Sequence, residues 1–515
     1  MTVAPPVDPP TRIRPTRLPL FAWRPLLAVS GALAALEIEV SGRYGYHRDE
    51  LYFVQAGEHL AWGYPDQPPS APVVARLVGV LAPHSLVGLR ILPALAAAAV
   101  VLFTGLIARE LGGGRASQLL AAACMAVSAV LLLVGHTFGT TIIDLFAWTA
   151  ICAVAARVLR GGDPRWWLVL GGIVGLALLN KTLVAALPLA LLVGVLIGGP
   201  RHVLRTLWFP VGVVLAVLIV APNLWWQATN GWPQLTLSAA IAAGGSGTSE
   251  SRWLFLPYQF VLVSPLLVPV WLCGLVGLLR SSSLVRFRSF GWAYVVLAVT
   301  FLVAGGKPYY LAGMFPVLLA AGAPTVVGWL RRRGRTTRRV VVTAALGLSL
   351  VINCLLMLPL VPADDLADTP IVDINYDAGE TVGWPEFAGV VAGVLNSLPA
   401  TERAGAVVLT GNYGEASAID RYGPALGLPA AYSGHNAFWE WGPPVGGRPD
   451  DRSEVVVAVG ISRDLLAGNF GSVEAAGTID NGVGLDNEEQ GRTVWLCRDQ
   501  SAPWPQIWPS FRHLG

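Results

Sequence analysis

The sequence predicts an α-helical polytopic membrane protein with about eleven transmembrane helices and a C-terminal extracytoplasmic α/β domain. Of its 515 residues, 54% are hydrophobic and only 13% are charged, and the mean hydropathy is +0.58. A soluble globular chain carries about 25% charged residues. Long apolar runs alternate with arginine clusters up to residue 361, and the composition of residues 362–515 is ordinary. We therefore expect a membrane module at 20–361 and a soluble domain at 362–515.

The first 19 residues are rich in proline, threonine and arginine. They offer almost nothing to bury, which predicts a disordered cytoplasmic tail. The first apolar run follows several arginines and so has the order of a signal peptide. However, it ends in Glu37-Ile38-Glu39-Val40 rather than a small-residue cleavage site. An uncleaved first helix is the better interpretation.

Eleven apolar runs approach the length of about 20 residues that a bilayer core of ~30 Å requires. They are 20–40, 86–108, 117–135, 140–159, 166–179, 183–198, 207–221, 258–279, 290–304, 311–330 and 340–361.

Arginines set the predicted orientation. They cluster at 109–115, 157–165, 201–205, 280–288 and 331–339. Placing these loops inside satisfies the excess of positive charge that cytoplasmic loops carry. The N-terminus is then cytoplasmic, and residues after Val361 are extracytoplasmic, on a multi-pass protein of the plasma membrane. The same scheme makes 166–199 and 290–330 hairpins, with outer turns at 180–182 and 305–310.

Two residues stand out for their chemistry. Lys181 and Lys307 are the only lysines of the chain, and both fall at predicted outer turns. They are candidates for binding an anionic substrate. The alternative is that both simply extend to the membrane interface.

The first outer loop, 41–85, is dense in charged, aromatic and proline residues. Residues 50–62 have the apolar spacing of a helix lying along the membrane surface. Asp49 stands where that helix would start, so it is either a helix cap or a functional carboxylate. His47, Glu50 and Asp66 could bind a divalent cation, although their spacing matches no recognised ligand pattern.

Two further charged residues lie near outer ends of spans. Asp144 is near the outer end of the fourth run and Arg90 opens the second. Ionisable groups there are expensive unless they face protein or water. Both are therefore candidates for substrate contact, with polar packing inside the helix bundle as the alternative. The loop at 222–257 is rich in tryptophan, typical of an interfacial belt. Its glycine patch at 244–249 indicates a mobile flap rather than a phosphate-binding loop.

Strand and helix patterns alternate in the C-terminal domain. Strands are expected at 406–409, 454–459 and 493–496, and helices at 414–422 and 462–470. The loop at 411–415 follows a strand, where ligand sites of α/β domains tend to lie, although a plain tight turn is the favoured interpretation. The aromatic loop at 432–441 could contact a sugar or acceptor, or could close over the outer loops.

Several segments together resemble the GT-C glycosyltransferases, in particular the superfamily of protein O-mannosyltransferases and lipid A aminoarabinose transferases. They occur in family order over roughly residues 20–330. The segments are Tyr46-His47-Arg48-Asp49-Glu50-Leu51-Tyr52, Asp66-Gln67-Pro68-Pro69, Arg90-Ile91-Leu92-Pro93, Ala108-Arg109-Glu110-Leu111-Gly112-Gly113, Gly175-Leu176-Ala177-Leu178-Leu179-Asn180-Lys181 and Gly306-Lys307-Pro308-Tyr309-Tyr310-Leu311-Ala312-Gly313-Met314-Phe315-Pro316.

This resemblance implies transfer of a sugar from a polyprenyl-phosphate carrier to a glycan, lipid or protein acceptor at the outer face. Within the acidic pair Asp49 and Glu50, Asp49 matches the catalytic residue of the family. Asp144 matches the second-loop acid, and the turn with Lys307, Tyr309 and Tyr310 matches the one that meets the carrier phosphate.

Around these matches we expect a wider site. Asp49 is the expected base, Asp144 orients the acceptor or sugar, and Lys307 with Arg90 holds the phosphate. A supporting set is also expected to contact the donor: Lys181, Arg48 and His47.

The sequence departs from the aminoarabinose enzymes at one position. The resemblance implies Glu-Lys-Pro in those enzymes where this chain has Asp66-Gln67-Pro68, so their phosphate-binding lysine is missing here. No cofactor is required, a divalent cation is an open alternative, and no nucleic-acid partner is expected. The rival function is a transporter or lipid flippase, which more often shows internal repeats and charges at the bilayer midplane; a membrane scaffold is a third alternative.

Overall fold

In the computed structural model, residues 18–242, 251–332, 334–444 and 450–514 are described. Most of the predicted tail at 1–19, and the glycine patch at 244–249, lie outside these residues. The helices of the first part of the chain are α1 (Trp23–Val40), α2 (Arg48–Glu58), α3 (Ser70–Leu81), α4 (Leu86–Glu110), α5 (Arg115–Ala126), α6 (Ala129–Gly135), α7 (Thr140–Leu159), α8 (Trp166–Leu178), α9 (Ala186–Gly198), α10 (Trp208–Thr229), α11 (Pro233–Ala242), α12 (Phe255–Val261), α13 (Val268–Arg280), α14 (Arg288–Ala304), α15 (Phe315–Leu330) and α16 (Arg335–Met357).

All eleven predicted apolar runs lie on helices. By length and composition, six helices of the described chain could cross a membrane, or up to eight if two bent pairs each count as one span. The six are Leu86–Glu110, Thr140–Leu159, Trp208–Thr229, Ser282–Ala304, Pro308–Leu330 and Thr336–Met357; the bent pairs are α5 with α6 and Arg252–Val261 with Pro265–Arg280. The remaining three runs fall short of that test for physical reasons. Helix α1 carries Arg24, Glu37 and Glu39, and α8 and α9 have only 13 residues each.

Close backbone contact holds the bundle together where glycine allows it. A Cβ atom at Gly274 of α13 would collide with the carbonyl of Leu318 on α15, and one at Gly322 would collide with the carbonyl of Val270. Small residues at helix contacts are the usual means of packing in a membrane, where apolar burial between helices gives no advantage over lipid.

The C-terminal region contains a five-stranded sheet and short helices. Its strand order is β2-β1-β3-β5-β4; β1 is parallel to β2 and β3, and β5 is antiparallel to β3 and β4. The strands are β1 (Val407–Thr410), β2 (Ala431–Ser433), β3 (Val455–Val459), β4 (Phe470–Thr478) and β5 (Thr493–Gln500). The helices are α17 (Ile371–Ile374), α18 (Tyr376–Gly379), α19 (Trp384–Asn396), α20 (Ala400–Ala404), α21 (Tyr413–Tyr422), α22 (Asn436–Glu440), α23 (Arg463–Ala467) and α24 (Trp504–Ile507).

The sequence pattern predicted three of these strands, but it placed the end of one helix too late. The predicted helix at 462–470 ends at Ala467, and Phe470 already begins β4. The alternating pattern of β4 is weak because most of its side chains are exposed or half-buried. Strand β2, with only three residues, was also not predicted.

The sheet domain packs directly on the first loop of the membrane module. Leu51 and Phe53 of α2 belong to the same buried cluster as Ala416 and Ile419 of α21. The Tyr44 hydroxyl donates to the Val361 carbonyl at 2.7 Å, and the Gly45 amide donates to the Thr381 carbonyl at 2.9 Å. Helix α2 is therefore enclosed between the bundle and the sheet domain, and this position brings residues of both regions to its first turn.

Candidate functional site

The N-terminus of α2 is capped by His47. Its Nδ1 accepts from the Asp49 amide at 3.1 Å, and the Glu50 carboxylate accepts from the His47 amide at 2.9 Å. This reciprocal pair is a capping box. The alternative that Asp49 is the helix cap is therefore wrong, and the Asp49 carboxylate is available for other contacts.

The Asp49 side chain faces the sheet domain. Its Oδ1 accepts a hydrogen bond from the Tyr413 hydroxyl at 2.7 Å, and Arg48 Nε lies 4.0 Å away. The side chain is 42% exposed, so a substrate hydroxyl can reach the carboxylate. The ring centroids of Tyr413 and Tyr52 are 4.6 Å apart. This packing fixes the direction in which the Tyr413 hydroxyl points.

Glu50 has a structural role, and its predicted place among the catalytic residues is wrong. It is fully buried. It accepts from Arg90 Nε at 2.8 Å and Nη2 at 2.7 Å, from the Phe138 amide at 2.7 Å and from the His47 amide. Four donors satisfy this carboxylate, which leaves it no capacity to bind substrate.

The predicted role of Arg90 in phosphate binding is wrong for the same reason. Its guanidinium is 1% exposed. Besides Glu50, it donates to the carbonyls of Ser41 at 2.7 Å and Gly45 at 2.8 Å. Arg90 therefore ties the first outer loop to α4.

Lys181 lies on the turn between α8 and α9. The turn is held by the Asn180 amide, which donates to the Thr140 carbonyl at 2.9 Å. Lys181 Nζ is 5.5 Å from the ring centroid of Tyr309 and 5.7 Å from that of Tyr310. Its ammonium interacts electrostatically with the carboxylates of Asp144 and Asp49. The segments that carry these two acids therefore both approach Lys181.

Lys307 lies on the turn between α14 and α15. Gly305, with φ of +70°, ends α14, and the Gln259 amide holds the turn by donating to the Pro308 carbonyl at 2.9 Å. Burial and the ammonium of Lys181 lower the pKa of Lys307 to about 8, against the opposing effect of the Asp49 carboxylate. Asp49 and Lys307 therefore lie close enough to influence each other's charge.

Asp377 of α18 belongs to this group, and sequence reasoning missed it. Its Oδ1 lies 3.7 Å from His47 Nε2. Contact with His47 and the charges of Arg48 and Lys307 lower its pKa, outweighing the effect of burial. Since His47 Nδ1 accepts from a backbone amide, its remaining ring nitrogen faces Asp377. His47 is therefore engaged by this carboxylate and by the helix cap instead of facing a donor phosphate, as the sequence had suggested.

Arg48 is likewise engaged by the sheet domain. Its Nη1 lies 2.7 Å from Glu488 Oε2 and 3.2 Å from Glu380 Oε2. Both ion pairs tie Arg48 to the sheet domain, so its expected contact with the donor phosphate stays a prediction.

Asp66 does not join His47 in a metal site. Its carboxylate accepts from the Tyr52 hydroxyl at 2.8 Å, and burial raises its pKa to about 7. Among the described residues, the acidic group close enough to share an ion is Glu380, Glu488 and Glu489. Neither His47 nor Asp66 belongs to that group.

The main contributor that the sequence did not single out is Tyr413. It stands in the segment at 411–415, between a strand and a helix, where a ligand position had been considered. Nothing in that segment indicated contact with Asp49, which is 364 residues away. The observed group is thus Asp49, Asp144, Lys181, Lys307, Tyr309, Tyr310, Asp377 and Tyr413.

Comparisons with known proteins agree with this architecture. Residues 66–226 match the family described as Dolichyl-phosphate-mannose-protein mannosyltransferase. The crystal structure of ArnT from Cupriavidus metallidurans in the apo state superposes with a TM-score of 0.57 at 13% identity, covering 92% of this chain and 97% of that one. The form bound to undecaprenyl phosphate gives 0.56 at 15% identity with the same coverage.

A more distant match is the Archaeoglobus fulgidus oligosaccharyltransferase tethered with an acceptor peptide. It has a TM-score of 0.51 at 12% identity, covering 80% of this chain and 64% of that chain. No curated protein sequence matches the chain significantly.

The fold is therefore that of the GT-C membrane proteins, with a C-terminal domain that contains a sheet, as the sequence predicted. The predicted multi-pass membrane fold is confirmed. The resemblance to the protein O-mannosyltransferase superfamily is confirmed as well, and the family match extends over 66–226.

Proposed function

We propose that this protein transfers a sugar, mannose or another hexose or pentose, from a polyprenyl-phosphate donor to a hydroxyl acceptor at the outer membrane face. The single observation that carries the proposal is that an accessible carboxylate, Asp49, and the only two lysines converge in one partly buried group. The family match at 66–226 and the ArnT structure bound to undecaprenyl phosphate support a lipid-phosphate sugar as the donor.

Asp49 is the proposed base. It takes the proton of the acceptor hydroxyl as that oxygen bonds to the anomeric carbon. The bond from this carbon to the phosphate oxygen breaks at the same time, and the polyprenyl phosphate leaves with the electron pair. A positioned carboxylate contributes roughly 10²–10⁴-fold to such a step. One displacement with one base inverts the anomeric configuration.

The cationic side of the group receives the leaving phosphate. Lys307 and Lys181 are the ammonium groups there, and the hydroxyls of Tyr309 and Tyr310 lie on the same segment as Lys307. Charges fixed in a partly dehydrated pocket stabilise developing charge better than they would in water. Lys181 takes the role that Arg90 cannot fill, because Arg90 is fully engaged by Glu50 and backbone carbonyls.

Asp144 has a positioning role in this scheme. Its carboxylate interacts with Lys181, so it can hold that ammonium toward the donor or hydrogen-bond a sugar hydroxyl. These two actions differ in one measurable respect. Only the second makes the effect of Asp144→Asn depend on which sugar is transferred.

The orientation follows from helix α4. Arg90, near its start, lies beside the site, whereas Glu110, at its end, binds Arg157 and Arg160, both at 3.0 Å. Twenty residues of α-helix span ~30 Å, the thickness of a bilayer core. Since arginines concentrate on the cytoplasmic side, we place the Glu110 end in the cytoplasm. The transfer site and the sheet domain then lie outside.

The test is a direct transfer assay with the full chain in proteoliposomes. Polyprenyl-phosphate mannose is compared with other lipid-linked sugars, and the anomeric configuration of the product is determined by NMR. An α-product from a β-linked donor, or the converse, is expected. Retention would refute the single-base scheme. Movement of the lipid carrier across the bilayer without glycosidic bond cleavage would instead favour the transporter alternative.

A further inference from the structure

Three glutamates of the sheet domain form a second acidic group beside Arg48. They are Glu380, Glu488 and Glu489, and their nearest carboxylate oxygens all lie within 4.8 Å of one another. Glu380 and Glu489 are buried, whereas the Glu488 side chain is 37% exposed. Three carboxyl groups thus face a single cation, the guanidinium of Arg48.

The group is built by the fold rather than by flexible surface side chains. The Asn487 amide donates to the carbonyls of Gly379 at 3.3 Å and Val382 at 3.1 Å. These bonds hold the loop before β5 against the segment that carries Glu380. Glu488 is itself oriented, because its Oε2 accepts from Arg48 at 2.7 Å and from the Tyr376 hydroxyl at 2.9 Å.

Glu489 gives an independent indication of a ligand. Its side chain is only 4% exposed, yet neither carboxylate oxygen accepts a hydrogen bond from any described residue. Burial and the carboxylates of Glu380, Glu415 and Glu488 raise its pKa to about 9. A buried carboxylate is stable only when it is paired, protonated or bound to a metal.

We propose that Glu380, Glu488 and Glu489 bind one Ca²⁺ ion in the sheet domain, beside the first turn of α2. Calcium prefers oxygen ligands at 2.3–2.6 Å, so two of its ligands are up to about 5 Å apart. Carboxylate oxygens within 4.8 Å of one another can share such an ion. Magnesium is the weaker candidate, because it requires near-ideal octahedral geometry and gives up its water reluctantly. Water completes the coordination on the open side of Glu488.

This ion has a structural consequence at the transfer site. Arg48 precedes Asp49 directly and donates to Glu488, while Tyr413 of the sheet domain donates to Asp49. The ion keeps all three glutamates ionised, so Glu488 stays paired with Arg48 next to Asp49 and the contact of Tyr413 with Asp49 is maintained. The inference concerns ion binding and stability, and it does not depend on which sugar is transferred.

The experiment is equilibrium binding of ⁴⁵Ca²⁺ to the full-length protein in detergent, after treatment with a chelator. We expect one ion per chain with Kd of roughly 10⁻⁵–10⁻³ M, the range of calcium sensors and extracellular modules. An equal concentration of Mg²⁺ should not compete. Tb³⁺ should bind in place of Ca²⁺ with luminescence sensitised by Trp384, whose indole donates to the Glu380 carbonyl at 2.9 Å.

The variant Glu489→Gln should abolish binding, whereas the exposed Glu474→Gln, in the same domain, should leave it intact. Asp49→Asn should also retain binding, which separates this ion from one at the transfer site. Thermal unfolding compares wild type with Glu489→Gln, each in chelator and in Ca²⁺. In chelator, Glu489→Gln should unfold at a higher temperature than wild type, because wild type must protonate Glu489 to bury it and the amide needs no proton. Added Ca²⁺ should then raise the Tm of wild type alone.

Three results would overturn the proposal. They are no saturable Ca²⁺ binding by wild type, undiminished binding by Glu489→Gln, or loss of binding in Asp49→Asn while Glu489→Gln retains it. If Glu489→Gln does not fold, Glu488→Gln provides the same comparison, because its side chain reaches solvent.

Discussion

Adjacent residues of one helix turn, Asp49 and Glu50, should respond in opposite ways to the same chemical change. Asp49→Asn keeps an oxygen that can accept from Tyr413, and the helix cap belongs to His47. We expect its free energy of unfolding to change by no more than about 1 kcal/mol, the net value of one hydrogen bond. Its transfer rate should fall by roughly 10²–10⁴-fold, the contribution of a general base.

Glu50→Gln should instead destabilise the protein. Glu50 is fully buried and holds both Nε and Nη2 of Arg90. An amide cannot satisfy the charge of that guanidinium, and breaking a buried ion pair by removing one partner costs about 3–5 kcal/mol. We expect poor expression or a strongly lowered Tm, without a specific loss of activity in whatever protein still folds.

The assay measures sugar transfer per folded molecule, with folding judged by size-exclusion chromatography and thermal unfolding in the same detergent. Asp49→Glu, which retains a carboxylate in a shifted position, is the matched control and should recover part of the rate. The reasoning fails if Asp49→Asn retains more than about a tenth of the wild-type rate, given the contribution expected of a base. It fails equally if Glu50→Gln is as stable as wild type.

Three further variants test the remaining roles. Lys307 has a pKa of about 8, so its ammonium is charged below that pH, and the KM of wild type for the donor should rise above pH 8. Lys307→Arg, which stays charged, should abolish that rise. A wild-type KM that is flat from pH 7 to 9.5 would contradict the phosphate-binding role. Tyr413→Phe removes the 2.7 Å hydrogen bond to Asp49. Because a hydrogen bond to a charged group is worth about 1.5–3 kcal/mol, kcat should fall roughly 10- to 100-fold at constant KM. An unchanged kcat would show that this contact is only structural. Arg90→Lys should lower the Tm, because an ammonium cannot reproduce the forked geometry of a guanidinium. The KM for the donor should stay as in wild type. An increase in KM without a loss of Tm would instead place Arg90 in the phosphate site.

Motif position predicted which residues gather at the site better than it predicted what each residue does. Asp49, Asp144, Lys181 and Lys307 were recognised by their types and places, and the structure brings them together. Arg90 carried the same signal, yet its guanidinium is occupied by Glu50 and by backbone carbonyls. A sequence shows that a charge is present near the end of a helix but not whether another residue has already neutralised it.

The C-terminal contributions could not have been recognised from local pattern. Tyr413 and Asp377 sit in segments without any apolar period or motif that indicates a function. They reach the site because the sheet domain packs on α2 through the buried cluster of Leu51 and Ile419, a contact between segments more than 360 residues apart.

The sequence by itself determined the membrane fold class and the helical runs, and its arginines favour one orientation in the membrane. These depend on hydropathy and on the excess of arginine in alternate loops, both of which act over 20 neighbouring residues. Tertiary structure alone decided that Glu50 and Arg90 are structural, that His47 caps α2, and that Glu489 is buried without a hydrogen-bond donor. Each of these depends on which distant groups share a volume from which water is excluded, because there an unpaired charge costs several kcal/mol.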